Sequence, residues 1–165
     1  MGTRLRQFLV FQAFLWWQGG FVFYAAVVVP AGTDLYGAFF QGLVTQRVTD
    51  WLAVLGLVWH LLFAWDLWAA RDPSRRRARL RFGFWLVSLL LLAALALIHR
   101  ELDELLDADD RDDRAFRRWH VAYLWGVTAQ WLLALANAWL TLGAWTTRDR
   151  HGARPNSAST PVEPR

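Results

Sequence analysis

Apolar residues along the chain gather into four blocks, 8–29, 48–69, 82–98 and 117–145, parted by stretches rich in glycine, arginine or aspartate. At ~1.5 Å per residue the first block makes about 33 Å of helix, enough to cross the ~30 Å hydrocarbon core of a bilayer. The third, Phe82 to Ile98, is leucine-rich and near the minimum spanning length, with Ser88 as its one conventional polar side chain. The pattern predicts an all-α integral membrane protein, an antiparallel bundle of four helices in one transmembrane domain over 1–146. Residues 31–47 mix glycine, aromatic and polar residues too often for a span, and predict a short interfacial helix. Leu102, Leu105 and Leu106 prolong one apolar side of the third helix until the following aspartates stop it. After Thr147, prolines 155, 161 and 164 with several Ser and Thr predict a disordered tail over 147–165.

The fourth block has the most informative pattern. Tyr123, Gln130 and Asn137 recur every seven residues, with His120, Val127, Ala134 and Thr141 beside them, and Ala122, Ala129, Ala136 and Gly143 form an adjoining stripe. Leu124, Trp131, Leu132, Leu135, Trp139 and Leu142 cover the opposite side. Small and polar residues on one side and bulky apolar ones on the other describe a helix packed against partners within a bilayer.

Composition sharpens this picture. Hydrophobic residues are 56% of the chain and mean hydropathy is +0.20 despite an acidic stretch and a polar tail. The absence of cysteine excludes disulfides, thiolate metal sites and cysteine nucleophiles. All 18 basic residues are Arg, in short runs beside the apolar blocks, and the formal net charge is +4. Such placement points to membrane topology and away from nucleic acid. Arginines at the N-terminus, in 71–81 and in the tail outnumber those in the other connections, which places both termini in the cytoplasm and the acidic 99–114 stretch outside. The first block is too long for a signal peptide, ends at Pro30, and is expected to be retained. Small size and arginine-only usage suggest a bacterial inner membrane.

Polar residues inside apolar blocks are costly, so each is a functional candidate. Gln18, His60 and Gln130 fall near half depth, with Asn137 nearer the cytoplasmic side and Tyr123 on the same stripe. They predict a polar seam, serving either as an interhelical hydrogen-bond layer or as a small-solute site. His99, His120 and Asp34 at the outer boundary form a candidate zinc or copper site. A haem held by two of His60, His99 and His120 would instead define a cytochrome b-like oxidoreductase. The aspartates from Asp107 fail the calcium-loop pattern, because Arg111 and Asp112 stand at its fifth and sixth positions. Half of the tryptophans, among them Trp51, Trp65, Trp68, Trp85, Trp119 and Trp145, lie near block ends as an aromatic belt requires. No nucleophile with its base, phosphate-cradling loop or dinucleotide fingerprint is present.

Trp17-Gln18-Gly19-Gly20-Phe21 with Val27-Val28-Val29-Pro30, and Phe116-Arg117-Arg118-Trp119-His120, resemble the four-helix membrane family typified by transmembrane protein 205, near the copper-resistance-D-like group. Family members often carry a small residue and an asparagine soon after the histidine, where this chain has Tyr123, Val127 and Thr128. The resemblance implies a four-span membrane protein tied to metal or haem handling. Three functions are therefore expected as alternatives: a binding or accessory protein using the seam, a haem protein, or a structural subunit of a homo-oligomer or larger membrane complex.

Overall fold

The computed structural model describes residues 2–70, 72–107 and 113–152, and among these the fold is all-α, with no strand. Helix α1 (Gly2–Phe23) passes through a π-helical turn (Tyr24–Val28) into α2 (Val29–Ala69); α3 (Arg75–Asp107) and α4 (Asp113–Gly152) follow. Three continuous runs are long and apolar enough to cross a membrane: Gly2–Ala69, Arg75–Leu105 and Arg114–Thr147.

The first run is not straight. A helix from residue 2 to residue 69 would extend about 100 Å at ~1.5 Å per residue, yet Arg6 Nε lies 2.9 Å from Asp66 Oδ1. The reversal occurs at Gly37, whose φ of 81° and ψ of 161° are non-helical and essentially reserved for glycine. Residues 29–36 therefore continue the direction of α1, and 38–69 return antiparallel to it. Tyr24 bonds Thr45, Gly20 faces Leu52, Trp17 packs on Trp59 and Arg6 meets Asp66, in the order an antiparallel hairpin requires.

The 31–47 segment, expected to be too interrupted for a span and to hold a short helix, is helical on both sides of the break at Gly37. Its polar residues serve the turn. Tyr24 Oη donates to Thr45 Oγ1 (2.8 Å) and accepts from Gln41 Nε2 (3.0 Å), while Thr45 Oγ1 donates to Gln41 O (2.8 Å). The π turn sits just before Pro30, which has no N–H to give and crowds the carbonyl four residues earlier. Widening the turn relieves that conflict, and the Val29 N–H bonds Tyr24 O instead.

A short link joins α2 to α3. The Ser74 N–H donates to Asp72 Oδ1 (2.9 Å), and Ser74 Oγ caps α3 by accepting from the Arg77 N–H (3.4 Å). Helix α3 then runs back along α2 and α4 along α3, as Asp66–Arg81, His60–Ser88, Ser88–Gln130 and Arg81–Thr141 contacts require. Helix α4 continues to Gly152, past the start of the expected tail at 147; residues 153–165 and 108–112 lie outside the described residues.

The interior is aromatic at its centre, with Trp17, Trp59 and Phe63 at most 5% exposed, and polar along one line. The exterior is apolar: Trp16, Leu61, Trp68, Leu90, Leu97, Trp125 and Trp139 are each more than 60% exposed, whereas Asp66, Arg81, Ser88 and Asn137 are at most 1% exposed. On α4 the buried line is Gln130, Ala134, Asn137, Thr141 and Ala144. Ala122 and Ala129 of the expected small-residue stripe face outward instead.

Candidate functional site

A line of polar side chains descends through the bundle and ends in a buried ionic cluster. At its upper level His60 Nδ1–H donates to Gly56 O (2.7 Å), leaving Nε2 to accept from Ser88 Oγ (3.1 Å), a tautomer inferred from the two partners. Gln130 Nε2 reaches the Ser88 carbonyl at 3.5 Å, so Ser88 links α2 to α4. Trp85 Nε1–H donates to His60 O (3.0 Å). Gly56 is required here: a Cβ at that position would lie 2.9 Å from the Trp17 ring.

One level further, the Asn137 amide clamps the backbone of α3. With the amide orientation that satisfies both ends, its nitrogen donates to Arg81 O (3.2 Å) and its oxygen accepts from the Trp85 N–H (3.1 Å).

The lowest level is built on Asp66, which is fully buried. Arg6 Nε donates to Oδ1 (2.9 Å), Arg81 Nη2 to Oδ2 (2.7 Å), and Trp145 Nε1 to Oδ2 (3.3 Å). Arg81 Nε also donates to Thr141 Oγ1 (3.1 Å), and its guanidinium lies 5.4 Å from the Phe63 ring centre. One carboxylate thus joins all four helices. Beside it, outside the apolar blocks, Arg77 donates twice to Asp72 at 2.7 Å. Burial acts to raise the Asp72 pKa, but the Arg77 and Ser74 hydrogen bonds and the charges of Arg77 and Arg81 outweigh it and hold the carboxyl below its ordinary range.

The expected seam residues divide between levels. His60 and Gln130 meet through Ser88, and Asn137 lies below them. Gln18 is buried beside this level, and its Oε1 has no hydrogen-bond partner among the described residues. Tyr123 is elsewhere, near the opposite end, 6.0 Å from the His99 ring.

The expected metal site at His99, His120 and Asp34 is not brought together. His99 Nε2 lies 3.5 Å from Asp50 Oδ1 and 3.7 Å from Asp103 Oδ2, His120 is exposed and stacked on Phe116, and Asp34 is exposed on the arm before Gly37. Among the described residues no group of three or more His, Asp or Glu side chains is arranged so that it could hold a metal ion. For haem, His60 has both ring nitrogens engaged, so ligation there would first break a bond to Gly56 or Ser88.

The ionic cluster is what sequence reasoning missed. In the sequence Arg6 and Arg81 read as topology arginines, and Asp66 stands between the belt tryptophans Trp65 and Trp68. A usable signal existed: Asp66 is the one acid between Asp50 and Asp72, and Arg6 and Arg81 lie at matching depth on neighbouring blocks. Of the tryptophans expected to form a belt, Trp85 and Trp145 direct their N–H groups inward. Two hollows flank the bundle. One, ≈ 650 Å³, is lined among the described residues by α4 between Ala115 and Ala122; the other lies between α1 and α4 beside the ionic cluster.

Fold and site together define a helical protein with a polar interior and an apolar exterior. No family model, curated protein or solved structure matches the chain.

Proposed function

We propose that the chain is a multi-pass membrane protein that crosses the bilayer four times, with both termini cytoplasmic, and serves there as a binding or accessory module. The observation that carries this reading is the inverted distribution of residues, with charged and polar side chains buried between the helices and bulky apolar ones outside. A soluble monomer rarely exposes apolar patches beyond a few hundred Å², whereas a helix in lipid turns its polar groups toward neighbouring helices. Spacing supports it as well. Arg81 and His99, which mark the two polar levels on α3, are about 27 Å apart at ~1.5 Å per residue, close to a hydrocarbon thickness. The resemblance to the family typified by transmembrane protein 205 points the same way.

The His60–Ser88–Gln130 level joins helices in this reading and does not hold a solute. Gln130→Leu and His60→Phe are expected to lower the melting temperature of the purified protein without removing any ligand signal. Loss of a bound small molecule at unchanged stability would favour a solute site instead. Membrane association itself is checked by alkaline carbonate washing: the protein should stay with the membrane pellet, and release into the supernatant would overturn the reading.

A second reading, association with a further helix from another chain, is favoured by the outward-facing Ala122 and Ala129 of α4. Ala129→Cys is then expected to give a disulfide-linked dimer in membranes.

A further inference from the structure

The end of the bundle opposite Asp66 carries a second group of ionisable side chains. His99 of α3 sets Nε2 between two carboxylates, 3.5 Å from Asp50 Oδ1 of α2 and 3.7 Å from Asp103 Oδ2 one turn further along α3. The imidazole is only 14% exposed, and both Nε2 and Asp103 Oδ1 are buried atoms without a hydrogen-bond partner among the described residues. From α4 the Tyr123 ring faces it at 6.0 Å, and α1, which meets Leu52 through Gly20, has no ionisable side chain at this level. Arg100 pairs with Glu104 on the exposed face of α3, while Arg47, Glu101 and His120 are exposed.

The proton count at His99 decides what this group does. With Nε2 bare, a lone pair meets two carboxylate oxygens, which makes three acceptors and no donor. A neutral ring carrying Nε2–H can bond one carboxylate, but leaves two negative charges side by side. Imidazolium alone puts a positive charge between them, and its charge-assisted bonds close to ~2.7–2.9 Å. The separations of 3.5 and 3.7 Å are those of a clasp standing open. Imidazole gains its proton within ~pH 5–8, so the clasp can be worked by ordinary changes of pH.

Its position gives the clasp leverage. The next hydrogen bond between α2 and α3 among the described residues is His60–Ser88, about 16 Å away along α3 at ~1.5 Å per residue. Over that length the two helices are held by apolar contacts alone or by this group. We propose that His99 is a proton-operated latch: protonation draws Asp50 toward α3 and fastens the ends of the two helices, and loss of the proton frees them. The latch goes beyond the membrane-module reading and holds whichever way the bundle is oriented, since a detergent micelle exposes both ends to one pH.

The test is a double-mutant cycle on the purified full chain in detergent, run at about pH 5.5 and pH 8. Other histidines titrate in this range, so the quantity read is the ratio of unfolding constants between variant and unsubstituted protein. His99→Gln should raise the unfolding constant about fivefold more at the lower pH than at the higher. Asp50→Asn should act in the same direction, and should add no pH-dependent effect once His99 is replaced. Because Asp50 is 58% exposed, that variant keeps the test open if His99→Gln does not fold. His120→Gln should leave the pH dependence unchanged. Hydrogen exchange locates the effect: after correction for intrinsic rates, amides of residues 45–55 should be more protected at the lower pH by a similar factor, and those of 60–69 should not. Equal effects of His99→Gln at both pH values, His99–Asp50 coupling that does not change with pH, or protection of 45–55 that survives His99→Gln would each overturn the proposal.

Discussion

Asp66 accepts hydrogen bonds from three helices, so replacing it with asparagine removes the negative charge and one of two accepting oxygens while two guanidinium groups stay buried. Breaking one side of such a cluster costs about 3–5 kcal/mol. Asp66→Asn should therefore lower unfolding stability by that amount in detergent titrations, and adding Arg6→Gln should restore part of the loss in a double-mutant cycle. Gly56→Ala should cost about 1–3 kcal/mol in the same assay, because its methyl meets the Trp17 ring at 2.9 Å. Asp72 makes a pH-dependent contribution. Its folded pKa is depressed, so its stabilisation is present above the ordinary carboxylate value and is lost as pH falls through the lower, folded one. Melting curves should thus show a loss below about pH 4 that Asp72→Asn lacks. At this scale the sequence singled out His60, Gln130 and Asn137, since polar groups in apolar blocks are conspicuous. It did not pair Arg6 with Asp66, because 60 positions separate them and only the turn at Gly37 makes them neighbours.

Among the elements, apolar length outlined blocks that are all helical, the first of them running from α1 through the π turn to the first residue of α2. Their ends were less legible. Helix α3 runs on to Asp107 as Leu102, Leu105 and Leu106 led one to expect, but it begins at Arg75, ahead of its 82–98 block, since its first turns are held by the Ser74 cap and the Asp72–Arg77 pair and carry little apolar signal. The 31–47 stretch was legible as interrupted, but not as a turn. Its glycines and polar residues form a sharp reversal with a hydrogen-bonded clasp of Tyr24, Gln41 and Thr45, a tertiary arrangement with no periodic signature. Gly37 carries the reversal, and an alanine there would occupy a region that costs residues with a Cβ about 1–3 kcal/mol. Gly37→Ala should shift the unfolding midpoint accordingly, whereas Gly42→Ala, in open space on the same helix, should not.

For the whole molecule, the account requires the hairpin of α1 and α2 and the pair α3 and α4 to lie side by side, with the Asp66 cluster at one face of the bilayer and the Gly37 turn at the other. Three runs are long and apolar enough to cross a membrane, and the proposed fourth crossing depends on the reversal within Gly2–Ala69. The chain has no cysteine, so single cysteines report sidedness without background. The most direct measurement is labelling by an impermeant maleimide of cysteines placed singly at Thr3, Thr33, Arg76, Glu104 and Thr146 in intact cells, before and after permeabilisation. Four crossings predict that Thr33 and Glu104 label from outside and that Thr3, Arg76 and Thr146 label only after permeabilisation. Thr33 and Arg76 reacting from the same side would contradict the account.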